Sequence, residues 1–184
     1  MCIRDRSLSF QLEKNSQLNG FSLMVGLAIR DTLSELYDID SKIKWPNDIF
    51  FDHKKFCGVL IETKYENNLL KIVIGIGINV FMHSNDQIEQ DWTSLKLIDG
   101  EKSFDRNLII GKLTSKILDY SRTYEKYGFS HFQKPFNQNN YLRNKILTSE
   151  NFKGKDCKVK EVDEEGRLKV EIDKEEKLIS SGEL

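Results

Sequence analysis

The sequence predicts a mixed α/β protein with a small all-β appendage, and three observations carry that prediction. A strand-rich centre spans residues 41–80, long helical periodicities flank it on both sides, and after Asn140 the chain turns to short strands with few large apolar residues. A length of 184 residues with 39% hydrophobic content suits one medium domain plus such an appendage. The expected division falls between 1–139 and 140–184.

In chain order, Ser7–Lys14 reads as a short strand followed by a loop at Asn15–Asn19. From Gly20 to Tyr37, Leu23, Leu27, Ile29, Leu33 and Leu36 recur at helical spacing. The centre holds strands at Ser41–Trp45, Ile49–Phe51, Lys55–Glu62 and Leu69–Val80, with Lys64–Asn68 as the turn of the last hairpin. A polar loop, Met82–Asp91, leads to a second long helix at Arg106–Tyr127, whose expected inner face is Leu108, Leu113, Ile117 and Tyr120. Ser130–Asn140 continues helically despite Pro135. Asp156–Glu161, Gly166–Asp173 and Lys177–Ser180 are short strands, with Asp163–Gly166 a hairpin turn, and together they suggest a small β-barrel.

Side chains alternate faces along a strand, so Leu70, Ile72, Ile74, Ile76, Ile78 and Val80 form one apolar wall suited to a core. The other face carries Lys71, Val73, Gly75, Gly77 and Asn79. Glycine weakens a strand, so something must approach Gly75 and Gly77 closely, either a ligand or a packed helix or strand. Asn79 sits beside that gap with a donor and an acceptor. No third glycine or immediate helix follows, which separates this segment from a dinucleotide-binding fingerprint.

By the same alternation, Lys55 heads the face of Cys57, Val59 and Ile61, while Phe56, Gly58, Leu60 and Glu62 take the other. A cation at the mouth of an apolar cleft suits an anionic ligand with hydrophobic bulk; a lysine snorkelling at a strand end is the alternative. Pro46 forces a turn in Lys44-Trp45-Pro46-Asn47-Asp48. Asn47 and Asp48 are natural turn residues, and they are also placed to face the cleft of Lys55. Trp45 suits the core, and Lys44 either reaches a phosphate or is solvated.

The net charge of −1 gives no electrostatic footprint for nucleic acid or an anionic membrane. Cys2, Cys57 and Cys157 are odd in number and widely spaced, so neither a disulfide framework nor a zinc site is expected, and the setting reads as reduced and cytoplasmic. His53, His83 and His131 are scattered, and no metal site is expected. No apolar run reaches membrane-spanning length.

The order of strand, long helix, KWPND, a Lys55-Phe56-Cys57-Gly58 strand, a Gly75-Ile76-Gly77-Ile78-Asn79 strand end, long helix and small barrel resembles the biotin protein ligases (biotin–[acetyl-CoA-carboxylase] ligases). The resemblance runs from about Ser7 to Leu184, and its central motifs are the specific part. That family usually has Ala where this chain has Cys57, a small residue equally suited to burial. The resemblance implies a class II synthetase-like, mixed and largely antiparallel sheet with helices on one face, plus an SH3-like C-terminal barrel. It implies an ATP-dependent ligase that forms biotinyl-AMP and transfers biotin to a lysine of a biotin carboxyl carrier domain. Lys55 is then the catalytic cation, Lys55, Gly58, Gly75, Gly77 and Asn79 bind biotin and its adenylate, and Lys44, Asn47 and Asp48 lie near the nucleotide and its Mg²⁺. Homodimerisation is left open.

The family places a Ser/Thr-rich biotin segment and a Gly/Arg-rich nucleotide loop upstream of the first strand, and this chain has no glycine before Gly20. Met1–Arg6 does not fit the family pattern, and the chain alone is expected to show little ATP–pyrophosphate exchange. The alternatives are a lipoate ligase-type acyl transferase, which shares the chemistry, or a non-catalytic ligand-binding or scaffold fragment.

Overall fold

Two antiparallel sheets divide the strands. In the computed structural model, which describes residues 3–13, 18–67, 69–84, 90–148, 152 and 155–180, the first has five strands in the order β1-β5-β4-β3-β2. These are β1 (Ile3–Glu13), β2 (Lys42–Lys44), β3 (Asp48–Phe51), β4 (Lys54–Glu66) and β5 (Leu69–Ile78). β2 to β5 form a meander of successive antiparallel neighbours, and β1 adds antiparallel to the outer edge of β5. The β4–β5 ribbon is longer than its hydrophobic pattern suggests. Its strands run to Glu66 and from Leu69, whereas the sequence places a wider turn at Lys64–Asn68. The polar Thr63, Lys64 and Tyr65 remain paired because a solvated face does not stop the backbone ladder.

The wall predicted on β5 forms as expected, with Leu70, Ile72, Ile74, Ile76, Ile78 and Val80 all buried. Against it lie α1 (Phe21–Tyr37), α3 (Arg106–Tyr127) and α4 (Ser130–Gln138), which join the sheet in one hydrophobic cluster. Burial extends almost around α1, because α3, α4 and the sheet cover it from several sides. On α3 the inner stripe is Ile109, Leu113, Ile117, Ser121 and Tyr124. Leu108, expected inside, is exposed, since that stripe passes one residue to its C-terminal side. Asp105 caps α3 by accepting from the Asn107 and Leu108 amides. Gly128, at φ 66°, separates α3 from α4.

The second sheet has four strands in the order β6-β7-β8-β9, namely β6 (Ile146–Thr148), β7 (Asp156–Val162), β8 (Leu168–Ile172) and β9 (Glu175–Ile179). Cys157, Val159, Val162, Leu168 and Val170 fill its inner face. Asn137 on α4 grips its end: Nδ2 donates to the Val162 carbonyl and Oδ1 accepts from the Val162 amide. No helix among the described residues is long and apolar enough to cross a membrane.

Candidate active site

The site begins with a register. Lys44 pairs with Asp48, Asp48 with Gly58, and Gly58 with Gly77, so four positions from the sequence motifs form one row across β2, β3, β4 and β5. The row lies on the sheet face opposite the packed helices. Among the described residues, nothing lies within 4 Å of where a Gly77 Cβ would stand, so this part of the row presents bare backbone. Gly75 lies one pair further along, opposite Leu60, whose Cβ would be 3.6 Å from its own; it does not line the clefts described below.

Lys55 reaches this row by an irregularity that strict alternation cannot anticipate. Ile49 pairs with Cys57 while Phe50 pairs with Lys55, leaving Phe56 as the extra residue of a β-bulge. Phe56 and Cys57 are consequently both buried. Lys55 does not head the Cys57/Val59/Ile61 face as the alternation predicts. It lies with Gly58 instead, its Cε 3.5 Å from the position of a Gly58 Cβ. There its Nζ forms an ion pair with Asp48 Oδ1 at 2.7 Å. The backbone of Lys55 is equally fixed, donating to the Asp91 carbonyl and accepting from the Thr93 amide.

The remaining motif residues build the walls. The Val59 amide donates to the Asn47 carbonyl, and Asn47 Nδ2 donates to the Val59 carbonyl at 2.9 Å, so this residue ties the turn to β4. Asn79 Nδ2 donates to the Thr93 carbonyl at 3.1 Å, and the Asn79 carbonyl accepts from Leu95 N. These bonds draw residues 91–95 across the ends of β4 and β5, where Ser94 caps the short helix α2 (Leu95–Ile98). Trp92 is thereby brought beside Lys55, a placement that sequence reading missed. The available signal was a single large aromatic at the end of a polar loop.

Two adjoining clefts result. One, of about 250 Å³, is lined by Lys55, Phe56, Cys57, Gly58, Gly77, Asn79, Gln90 and Trp92. The other, of about 310 Å³, is lined by Lys44, Trp45, Pro46, Asn47, Asp48, Lys55 and Gln90. Lys55 and Gln90 are common to both. The first pairs an aromatic ring with bare backbone, whereas the second carries two cations and a carboxylate. Burial, and then the nearby Asp48 carboxylate, raise the Cys57 thiol well above its ordinary value, so this cysteine is an inert wall rather than a nucleophile. Among the described residues, no three His, Cys, Asp or Glu side chains gather as a metal cage.

Comparison with known proteins matches residues 6–79 to the model of the biotin/lipoate A/B protein ligase family. The whole row from Lys44 to Gly77 falls within that match. It is 33% identical over 116 residues to the bifunctional ligase/repressor BirA of Salmonella typhimurium, a match covering 61% of this chain and 36% of that protein. The chain thus spans about a third of the length of this curated relative. Its fold superposes on the apo structure of biotin protein ligase from Aquifex aeolicus with a TM-score of 0.83 at 27% identity, covering 96% of this chain and 80% of that one. The same enzyme in complex with biotin and ATP gives a TM-score of 0.80, with 96% and 75% covered.

Proposed function

We propose that this chain carries the ligand-binding face of an ATP-dependent biotin protein ligase. The reaction activates the biotin carboxylate on the α-phosphate of ATP, releases pyrophosphate, and passes the acyl group from biotinyl-AMP to a lysine of a biotin carboxyl carrier domain. The observation that carries this reading is the row of Lys44, Asp48, Gly58 and Gly77 with the Lys55 ammonium standing over it. A bicyclic acid can lie on the bare backbone of Gly58 and Gly77 with Trp92 alongside and its carboxylate at Lys55. The polyphosphate then falls on the polar side, towards Lys44, Asn47 and Asp48.

Lys55 is common to both clefts, which is where the new acyl–phosphate bond would form. Negative charge develops there in both half-reactions, and a cation held from the backbone on two sides stabilises it without reorganising. Mg²⁺ would arrive with ATP, and among the described residues Asp48 is the carboxylate that lines the polar cleft. The A. aeolicus relative, whose solved complex contains biotin and ATP, supports this pairing of substrates. A cytoplasmic setting and an SH3-like C-terminal barrel beyond residue 139, attached to a class II synthetase-like catalytic part, belong to the same reading.

Isothermal titration of the chain with biotin and with ATP tests the proposal, followed by transfer of labelled biotin to a carrier domain. Binding of biotin near Gly77, lost on substitution there, is the expected result. The family also includes lipoate ligases. Preference for lipoate over biotin in the same titration would reassign the acid, and binding of neither would overturn the assignment of the clefts.

A further inference from the structure

The turn that carries Asn47 and Asp48 is anchored to the C-terminal half of the chain, by contacts the reaction itself does not require. β2 is continued by residues 139–141, since the Ile43 amide donates to the Asn139 carbonyl and the Tyr141 amide to the Ile43 carbonyl, each at 2.9 Å. Lys42 Nζ reaches Asn139 Oδ1 at 3.2 Å. Two residues beyond Ile43, the Trp45 indole is 2% exposed and donates to the Gly166 carbonyl at 3.0 Å. Ser22 Oγ then donates to the Pro46 carbonyl at 3.0 Å.

Gly166 is a firm partner because the β7–β8 turn around it is itself fixed. Asp163 Oδ1 accepts from the Glu165 and Arg167 amides. At φ 78°, Gly166 packs backbone to backbone against Gly20, and a Cβ there would stand 2.4 Å from Gly20 Cα. Trp45 and Pro46 line the polar cleft on one side and, on the other, a cavity of about 350 Å³ beside Gly166 and Arg167. They are a partition between that cleft and the second sheet.

We propose that Trp45 is a positioning residue through which the β7–β8 turn sets the place of Asn47 and Asp48 opposite β4, and so the shape of the polar cleft. As a statement about ligand binding this rests on the reading of that cleft as the nucleotide end; as a statement about the turn it does not. Between β2 and β3 the described backbone pairing of the turn is the Val59 amide to the Asn47 carbonyl. That bond, Asn47 Nδ2 to the Val59 carbonyl and the pairing of Asp48 with Gly58 hold the turn on the β4 side, while the Trp45 and Ser22 bonds fix its other side. Phenylalanine at position 45 keeps a ring in the core and removes the N–H donor.

The test compares the chain with its Trp45→Phe and Gly166→Ala variants by amide hydrogen exchange. The Val59 amide should exchange about tenfold faster or more in both variants, while amides of central α3 and central β5 keep their parent rates, as for local rather than global opening. Unchanged protection at Val59, or uniform acceleration along the chain, overturns the proposal. Calorimetry supplies the second readout. Trp45→Phe should weaken ATP by about tenfold, comparable to one lost buried hydrogen bond, and leave biotin affinity unchanged. A parent chain that binds neither probe sinks the reading of the clefts, with exchange still deciding the anchor. A parent that binds ATP no better than Trp45→Phe sinks the positioning role.

Discussion

Asp48 and Lys55 meet across a bare glycine. Their Oδ1 and Nζ atoms are 2.7 Å apart, and a methyl group on Gly58 would stand 3.4 Å from the carboxylate. The pair is partly shielded, with 33% of the Lys55 and 18% of the Asp48 side chain exposed. Lys55 is therefore aimed into the cleft before any ligand arrives, and an incoming anion must share it with Asp48.

That sharing predicts an unusual response to Asp48→Asn. Pyrophosphate without Mg²⁺ should bind about three- to tenfold more tightly to the variant, because one opposing charge close to the ammonium has gone. Mg²⁺-dependent ATP binding should weaken. Titration of both ligands into parent and variant decides the matter. Weaker pyrophosphate binding in the variant would show that the carboxylate helps by aiming Lys55 more than it hinders by neutralising it.

Replacing the cation itself should be more severe. In a ligase carrying Lys55→Ala, adenylate formation followed by pyrophosphate exchange should drop about 10²–10³-fold, as for removal of one preorganised charge contact. Circular dichroism should be unchanged, since the side chain is at a cleft mouth. Near-parent turnover would reduce Lys55 to a surface lysine.

The two paired glycines should respond differently to valine. At Gly77 the new side chain meets none of the described residues, so folding should survive while biotin binding is abolished. At Gly58 it crowds the Asp48–Lys55 pair, so ATP binding should suffer as well. Retained biotin affinity in Gly77→Val would place the acid elsewhere.

A separate prediction concerns alkaline pH. Burial raises the Tyr124 phenol above its ordinary value, and burial together with the Asp31 hydrogen bond does the same for Tyr120. Above pH ~10 the unfolded chain releases these protons while the folded chain retains them, so stability is full below that pH and falls as pH rises beyond it. Tyr124→Phe should flatten that fall in urea unfolding between pH ~8 and ~11, and should cost about 1 kcal/mol at the lower pH through loss of its bond to the Asn19 carbonyl. Parallel losses in parent and variant would exclude Tyr124 as a source.

Where the sequence was informative, one local period ruled a whole element. The span of α3 and the buried wall of β5 follow from spacing alone. The side of Lys55 did not, because the bulge at Phe56 interrupts a period of two that was otherwise sound. Leu108 was misplaced because it neighbours the true stripe at Ile109. β6 and α2, of three and four residues, are too short to show any period. The position of Trp92 depends on hydrogen bonds from Asn79 and Lys55, partners distant in the chain, and so does the alignment of Lys44 with Gly77. Both are properties of register, which residue patterns within one strand do not carry.

The same alignment makes the sheet a ruler. Neighbouring strands lie about 4.8 Å apart, so the three steps from Lys44 to Gly77 measure roughly 14 Å at right angles to the chain direction. A molecule lying along the row is held by charge at one end and accommodated by missing side chains at the other. Its length is counted in strands rather than residues. Lengthening β4 or β5 would leave that measure untouched, while inserting a strand between them would stretch it by a full step.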